Sequence, residues 1–174
     1  FQSYVDYMNK FGNHNVSGML LWNIDQYDNN APGNLVASLP RRKMGFAGRF
    51  SYDYDNRYMF EVNAGYNGSE NFAKGHKWGF FPSVAVGWNV SQENFFEPLK
   101  DVISNLKLRA SYGLVGNDQL LDSSGGLIRF IYMSDITLQS ENAGFTTGDK
   151  QQITLNGPVY TRYQNNDLTW EVGE

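Results

Sequence analysis

The 174-residue chain contains no cysteine, two histidines and five prolines. Without cysteine there can be no disulfide scaffold, thiolate metal site or thiol nucleophile, and the compartment is left open. His14 and His76 stand in Asn- or Gly-rich stretches, with no His partner at i+4 and no carboxylate at ligand spacing. Both are read as solvated loop residues, and no metal or cofactor is expected. Basic clusters are missing too: 14 Lys+Arg against 18 Asp+Glu give a net charge of -4, which argues against a nucleic-acid partner. No stretch approaches the roughly 18 apolar residues of a membrane helix. The mean hydropathy of -0.50 does not by itself make the protein soluble, because a membrane β-strand alternates apolar with polar residues and keeps the mean low. The opening FQSYVDYMNK has no initiator Met, positive n-region or apolar h-region, and the close NDLTWEVGE reads as a strand beginning. A piece of a longer protein is therefore expected.

What the chain does have is 16% aromatic residues, 18 glycines and period-two alternation bounded by Gly, Asn, Asp and Pro. Val16 to Tyr27 is a first strand candidate. From Gly45 to Tyr54 the residues Phe46, Gly48, Phe50, Tyr52 and Tyr54 share one face, and Ala47, Arg49, Ser51 and Asp53 the other. Asp55-Asn56 then gives a tight-turn signal. The return strand, Arg57 to Asn67, sets Tyr58, Phe60, Val62, Ala64 and Tyr66 against Arg57, Met59, Glu61, Asn63, Gly65 and Asn67. Arms of about ten residues exceed the usual five or six of a globular sheet and match the 9–11 of a membrane-spanning strand. Gly68 to Gly79 reads as a loop. Phe81 to Ser91 is a further strand, with Trp88 on its apolar face. Phe95 to Ile103 reads as a short helical turn or a wider loop. Leu106 to Gly113 alternates again, Tyr112 opposite Lys107 and Arg109. Leu127 to Leu138 is a weaker strand candidate, and Asn142 to Asn166 is polar and loop-like.

No predicted helix is long enough to cover these apolar faces, so their partner is a second sheet or lipid. The polar faces carry Arg49, Asp53, Arg57, Glu61, Asn63, Lys107 and Arg109. A barrel lumen calls for such residues, and so does the solvated face of a sandwich, so polarity alone does not decide. Tyr52, Tyr54 and Tyr58 bracket the short turn, where a membrane interface gathers amphipathic rings, although tyrosine also favours strands generally. Lipid-facing or interfacial positions are expected at Phe46, Phe50, Tyr52, Tyr54, Tyr58, Phe60, Tyr66, Trp88 and Tyr112. The fold class is all-β and antiparallel: a transmembrane barrel, with a soluble aromatic-rich sandwich that binds carbohydrate, or a complete eight-stranded barrel, as alternatives.

Catalytic constellations fail on inspection. Asp53-Tyr-Asp55-Asn56 starts like a calcium loop, but Tyr58 and Ala64 occupy the positions that require Gly and Glu. Gly113-Leu-Val-Gly116 has no Lys-Ser or Lys-Thr to complete a phosphate loop. Asp53 and Glu61 sit at different heights above the turn, and salt bridges to Arg49 or Arg57 suit them better than acid–base work. No enzymatic activity is expected.

Three stretches resemble the SusC/RagA family of TonB-linked outer-membrane proteins of Bacteroidetes. Gly48, Arg49, Tyr52, Tyr54, Arg57 and Tyr58 fill the family's GR-x-x-Y-x-Y-x-x-RY hairpin, and Gly68, Ser69 and Phe72 the DGSS-x-F stretch after it. Trp78, Gly79, Phe81, Pro82, Ser83, Gly87, Trp88, Ser91, Glu93 and Phe95 match W-G-x-FPS-x-x-x-GW-x-x-S-x-E-x-F. ISNLKLRASYGLVGND is similar to the family's LSNLKLRASYG-x-x-GN, and NNDLTWE to NP-x-LKWE. The family's Asp before Gly is Asn67 here, and its Pro is Asn166. The resemblance implies a segment of a roughly 22-stranded barrel, without the plug domain or TonB box. It also implies a bacterial outer-membrane location, a SusD/RagB-like surface lipoprotein as partner, TonB coupling through the missing N-terminal part, and import of glycans or oligopeptides. Residues 1–174 are expected to form part of one barrel domain, with 119–165 a long extracellular loop region. Trp78 and residues of that region are the expected ligand-contacting candidates.

Overall fold

The computed structural model describes residues 1–30, 38–121, 125–149 and 153–174. It divides into two compact units: Phe1–Ser69, Trp78–Asp118 and Trp170–Glu174 form the first, Glu70–Lys77 and Gln119–Thr169 the second.

The first unit is built on a six-stranded antiparallel sheet in strict chain order. Its strands are β1 (Gln2–Phe11), β2 (His14–Tyr27), β3 (Arg41–Tyr54), β4 (Tyr58–Ser69), β5 (Trp78–Asn89) and β6 (Lys107–Gly113). Alternation and turn chemistry fix the register of the central hairpin. Asp55 and Asn56 both take positive φ, 54° and 56°, and the Arg57 N–H donates to the Tyr54 carbonyl at 2.9 Å. Positive φ at both central residues is the type I′ geometry that matches strand twist, and Asx side chains tolerate it. Asp53 supports the turn by accepting the Asn56 N–H at 3.1 Å. The pairing then runs without a break from Tyr54↔Tyr58 to Lys43↔Ser69. The β1–β2 turn at Gly12-Asn13 lies beside it, joined by the Asp55 N–H donating to the Asn13 carbonyl. At this same end β5 leads to β6 through two 3-10 turns, Val90–Gln92 and Asn94–Leu99. Beyond β6, β7 (Val115–Asn117) pairs with β12 (Glu171–Gly173).

Twelve residues, the length of β4, extend about 40 Å at roughly 3.3 Å per residue. Tilted by the ~40° usual for membrane barrels, such a strand rises about 30 Å, the thickness of a bilayer core.

Several expectations are corrected. β1 was not expected. β5 begins at Trp78, so the loop before it is confined to 70–77. Val90 leaves the strand for the first 3-10 turn. In the second unit the Leu127–Leu138 candidate is a strand over β9 (Leu127–Ile128, paired with β8, Leu120–Leu121) and again from Asp135. The polar stretch 142–166 forms much of a two-stranded ribbon, β10 (Asp135–Thr147) with β11 (Ile153–Arg162). Residues 122–124 and 150–152 of the expected loop region lie outside the described residues. Phe72, Ala73, Phe130 and Ile131 are buried in this unit, and the Ile131 N–H donates to the Asn71 carbonyl.

Candidate functional site

The two faces of the six-stranded sheet differ in composition. Pairing places Trp22, Phe46, Tyr66 and Phe80 in one row across β2–β5, and Val16, Tyr52, Phe60, Val86 and Ala110 in another across β2–β6. All nine aromatic positions expected to meet lipid (Phe46, Phe50, Tyr52, Tyr54, Tyr58, Phe60, Tyr66, Trp88 and Tyr112) lie on this one face. Rings on neighbouring strands stack there: Trp22 on Phe46 at 6.2 Å and Tyr66 on Trp78 at 4.7 Å. Trp78 therefore belongs to β5 and the aromatic face rather than to a loop. His14, read as a solvated loop residue, starts β2 with Nδ1 2.7 Å from the Tyr52 hydroxyl.

The opposite face carries Asn15, Arg49, Ser51, Asp53, Glu61, Asn63, Lys107 and Arg109. Its carboxylates are held by amides and hydroxyls. Asn15 donates to Asp53 at 2.8 Å, while Glu61 accepts from Ser51 at 3.1 Å and Asn63 at 2.9 Å. Arg49 donates to Asn63 at 3.0 Å. Among the described residues neither Asp53 nor Glu61 makes the expected salt bridge to Arg49 or Arg57.

Arg57 sits in the turn, outside the strands, and pairs with Asp55 at 3.1 Å and Glu93 at 3.5 Å. Glu93 also accepts from the Tyr58 hydroxyl at 2.7 Å and the Trp88 indole N–H at 3.2 Å. One carboxylate thus ties the turn, β4 and β5 to the 3-10 segment. At the other end of the strands Asp118 receives Lys43 Nζ at 2.7 Å and the Ser69 hydroxyl at 2.7 Å, its side chain 8% exposed. Sequence reading noticed Glu93 only as a letter of a motif, and missed Lys43–Asp118 because no spacing rule links residues so far apart.

The hydrogen bonds from Tyr58, first, and Trp88, with the Arg57 charge, hold the Glu93 carboxyl below the usual carboxylate range against desolvation. A carboxylate with a lowered folded-state pKa stabilises above its unfolded value and loses that contribution as pH falls through the folded value. Trp88 fluorescence is therefore expected to stay constant from neutrality down to the ordinary glutamate range, about 4.3, and to change below it. Glu93→Gln should remove that transition. A midpoint at or above the ordinary value would refute the assignment.

The buried apolar residues of the described chain are Phe72, Ala73, Val90, Phe96, Phe130 and Ile131, none of them on the six strands. The apolar face is the open one: Phe80 is 60%, Val86 51% and Phe50 47% exposed. Ser51, Asp53, Glu61 and Asn63 on the polar face are half-buried. A soluble sheet shows the reverse. Six strands at about 4.8 Å spacing and 30 Å height present of the order of 700 Å² of apolar face, beyond the largest patch of an ordinary soluble monomer. No helix among the described residues is long and apolar enough to cross a membrane, which says nothing of a barrel. A sheet with one aromatic face left open and one polar face half-buried at its centre, crossing length in every central strand, defines a segment of transmembrane β-barrel wall.

Comparison with known proteins narrows the class. No protein-family model matches the chain. It is 33% identical over 128 residues, 74% of its own length, to the TonB-dependent receptor SusC of Bacteroides thetaiotaomicron. It is 28% identical over 197 aligned residues, 99% of its length, to the TonB-dependent receptor P3 of Formosa agariphila. It spans 12% and 18% of those two relatives. Among solved structures it superposes on the RagAB peptide transporter with a TM-score of 0.67 at 17% identity, covering 98% of this chain and 20% of that one. The RagAB peptide importer in its closed-closed state gives 0.66 over the same shares. The chain belongs to the SusC/RagA family of TonB-dependent receptors, as part of the outer-membrane barrel.

Proposed function

We propose that this segment forms wall and outer loops of an importer that carries glycans or oligopeptides across the outer membrane, drawing energy from TonB and capped by a SusD/RagB-like lipoprotein. The observation that carries this reading is the inverted sheet, with its aromatic face open and Ser51, Asp53, Glu61 and Asn63 half-buried at the centre of its polar face. The names of its relatives, TonB-dependent receptors and a peptide importer, support it. Arg49, Asp53, Glu61, Asn63, Lys107 and Arg109 line the lumen, with Arg57 at its rim. The nine aromatic positions meet lipid or its interface. Residues 119–165 lie on the outer side, where substrate and lipoprotein are met. A soluble sandwich would need a second layer over the aromatic face, and none is present among the described residues. A complete eight-stranded barrel would need two further strands in the sheet, which among the described residues has six, with β1 and β6 at its edges.

Single-tryptophan variants test the wall. In vesicles of bromine-labelled phospholipid, Trp22 should be quenched several-fold more than Trp170, which packs edge-on against Phe81 of the polar face at 5.2 Å. Equal quenching would overturn the reading. In cells producing the parent protein, uptake of a fluorescent oligosaccharide or oligopeptide that stops when the proton gradient is collapsed identifies the substrate class. Uptake of neither would refute import.

A further inference from the structure

Along β1–β6 the aromatic face is built from uncharged side chains with one exception: among its strand positions Arg42 alone carries a fixed charge. It stands opposite Gln26 near the start of β3, with Ile24 and Met44 next on the same face. The cations on either side of it in the chain lie on the other face and are engaged, Arg41 with Asp25 at 3.9 Å and Lys43 with Asp118 at 2.7 Å. Asp28, just past β2, accepts the Gln26 amide at 2.8 Å. Among the described residues Arg42 forms no ion pair, and it is exposed.

Its height is set by the strand. Arg42 and Tyr54 share a face and are twelve residues apart on β3. At roughly 3.3 Å per residue and ~40° of tilt they are about 30 Å apart along the membrane normal, the thickness of a bilayer core. Tyr54, Tyr58 and Trp88 share one row at the end with the tight turns, and a barrel keeps its short turns on the periplasmic side. Arg42 therefore stands at the opposite boundary, in the headgroup layer of the outer leaflet. Beneath it Gly48 and Ala64 floor a shallow hollow walled by Trp22, Phe46, Tyr66 and Phe80, with room for an acyl chain.

The two boundaries differ in charge. At the inner one Arg57 meets Glu93 at 3.5 Å, so that cation is answered within the chain. At the outer one the guanidinium has no carboxylate paired to it. A guanidinium at this level reaches past its apolar neighbours into the headgroups, and its planar fork matches a phosphate bidentately. In a bacterial outer membrane the phosphate at this level belongs to the phosphorylated glycolipid of the outer leaflet.

We propose that Arg42 holds the phosphate of an outer-leaflet glycolipid, one of whose acyl chains lies in the hollow below. This rests on the reading that the aromatic face meets lipid. The test uses the parent protein, purified in mild detergent, loaded with phosphorylated lipid A and read by native mass spectrometry. Arg42→Gln should lower lipid occupancy several-fold. Arg42→Lys should restore most of it, which separates loss of charge from loss of folding. Lys100→Gln, which removes the same charge just after the second 3-10 turn at the inner end, should change nothing. Phosphatase-treated lipid A should bind the unaltered protein no better than intact lipid A binds the Arg42→Gln variant. Occupancy that ignores residue 42 or the phosphate would overturn the seat. So would displacement of lipid A by an equal concentration of phosphatidylglycerol, which would make the site one for phospholipid. If Trp22 also escapes quenching by bromolipid, the facing itself is wrong and the seat falls with it. If Trp22 is quenched while Arg42→Gln keeps its lipid A in full, the facing stands and the seat alone is refuted.

Discussion

Arginine in place of Val84 is expected to destabilise the membrane-inserted protein by about 2–4 kcal/mol, the cost of a cation near the bilayer midplane on a lipid-facing strand. Val84 is 38% exposed in the middle of β5, flanked by Val62 on β4 and Tyr112 on β6. No carboxylate on that face offers the guanidinium a partner, and the interface is several residues away in either direction. Ala85→Arg is the control. Its side chain would stand on the polar face, opposite Glu61 and beside Ser111, where water and a carboxylate receive it. Urea titrations of the two variants refolded into vesicles should differ by most of the full effect. Equal losses, or a larger loss for Ala85→Arg, would reverse the facing assigned to every strand, since one register binds them all.

Loss of Asp118 should be the next largest effect. Lys43 Nζ and the Ser69 hydroxyl both end on this carboxylate. Breaking a buried pair by removing one partner costs about 3–5 kcal/mol because a charge is left without compensation. The Lys43 side chain is 29% exposed, so water recovers part of the loss, and about 2–3 kcal/mol is expected for Asp118→Ala. Asp118→Asn should cost less, since the amide oxygen still accepts. Lys43→Met combined with Asp118→Leu should recover much of the stability, because it removes both charges together. The double-mutant cycle gives the coupling. A coupling near zero would mean that the pair does not hold this end of the sheet together.

The β3–β4 hairpin was legible because three independent signals agree there: strict alternation, two Asx residues that accept positive φ, and arms of membrane-crossing length. β1 was not, since Tyr4 and Met8 on one face and Val5 and Tyr7 on the other leave no apolar–polar period to detect. The β10–β11 ribbon escaped for a related reason. Its register shifts near Ile136, Ser140 and Phe145 break the period-two pattern, and its Ser, Thr, Asn and Gly content reads as loop. Which residues share a face was legible because it depends on local alternation alone. The polar clusters did not: Glu93 meets Tyr58 across 35 residues, and Asp118 meets Lys43 across 75. Such pairs exist only once the strands have brought their ends together, and for the same reason Arg57, counted by alternation as a lumen residue, turned out to close a turn. The family resemblance supplied what spacing could not, that these strands belong to the barrel of a TonB-dependent receptor.

Each of the six strands pairs only with its neighbours in the chain. That arrangement has a kinetic consequence. Every closure joins strands consecutive in the chain, the longest across residues 90–106, so contact order within the sheet is low and little chain entropy is lost before pairing returns it. Growth can proceed one hairpin at a time, each new arm satisfying the exposed N–H and C=O groups of the last and leaving a single unsatisfied edge to be carried forward. A wall of this kind can lengthen in the membrane without being complete beforehand, with the tight turn at Asp55-Asn56 setting the register that later strands copy.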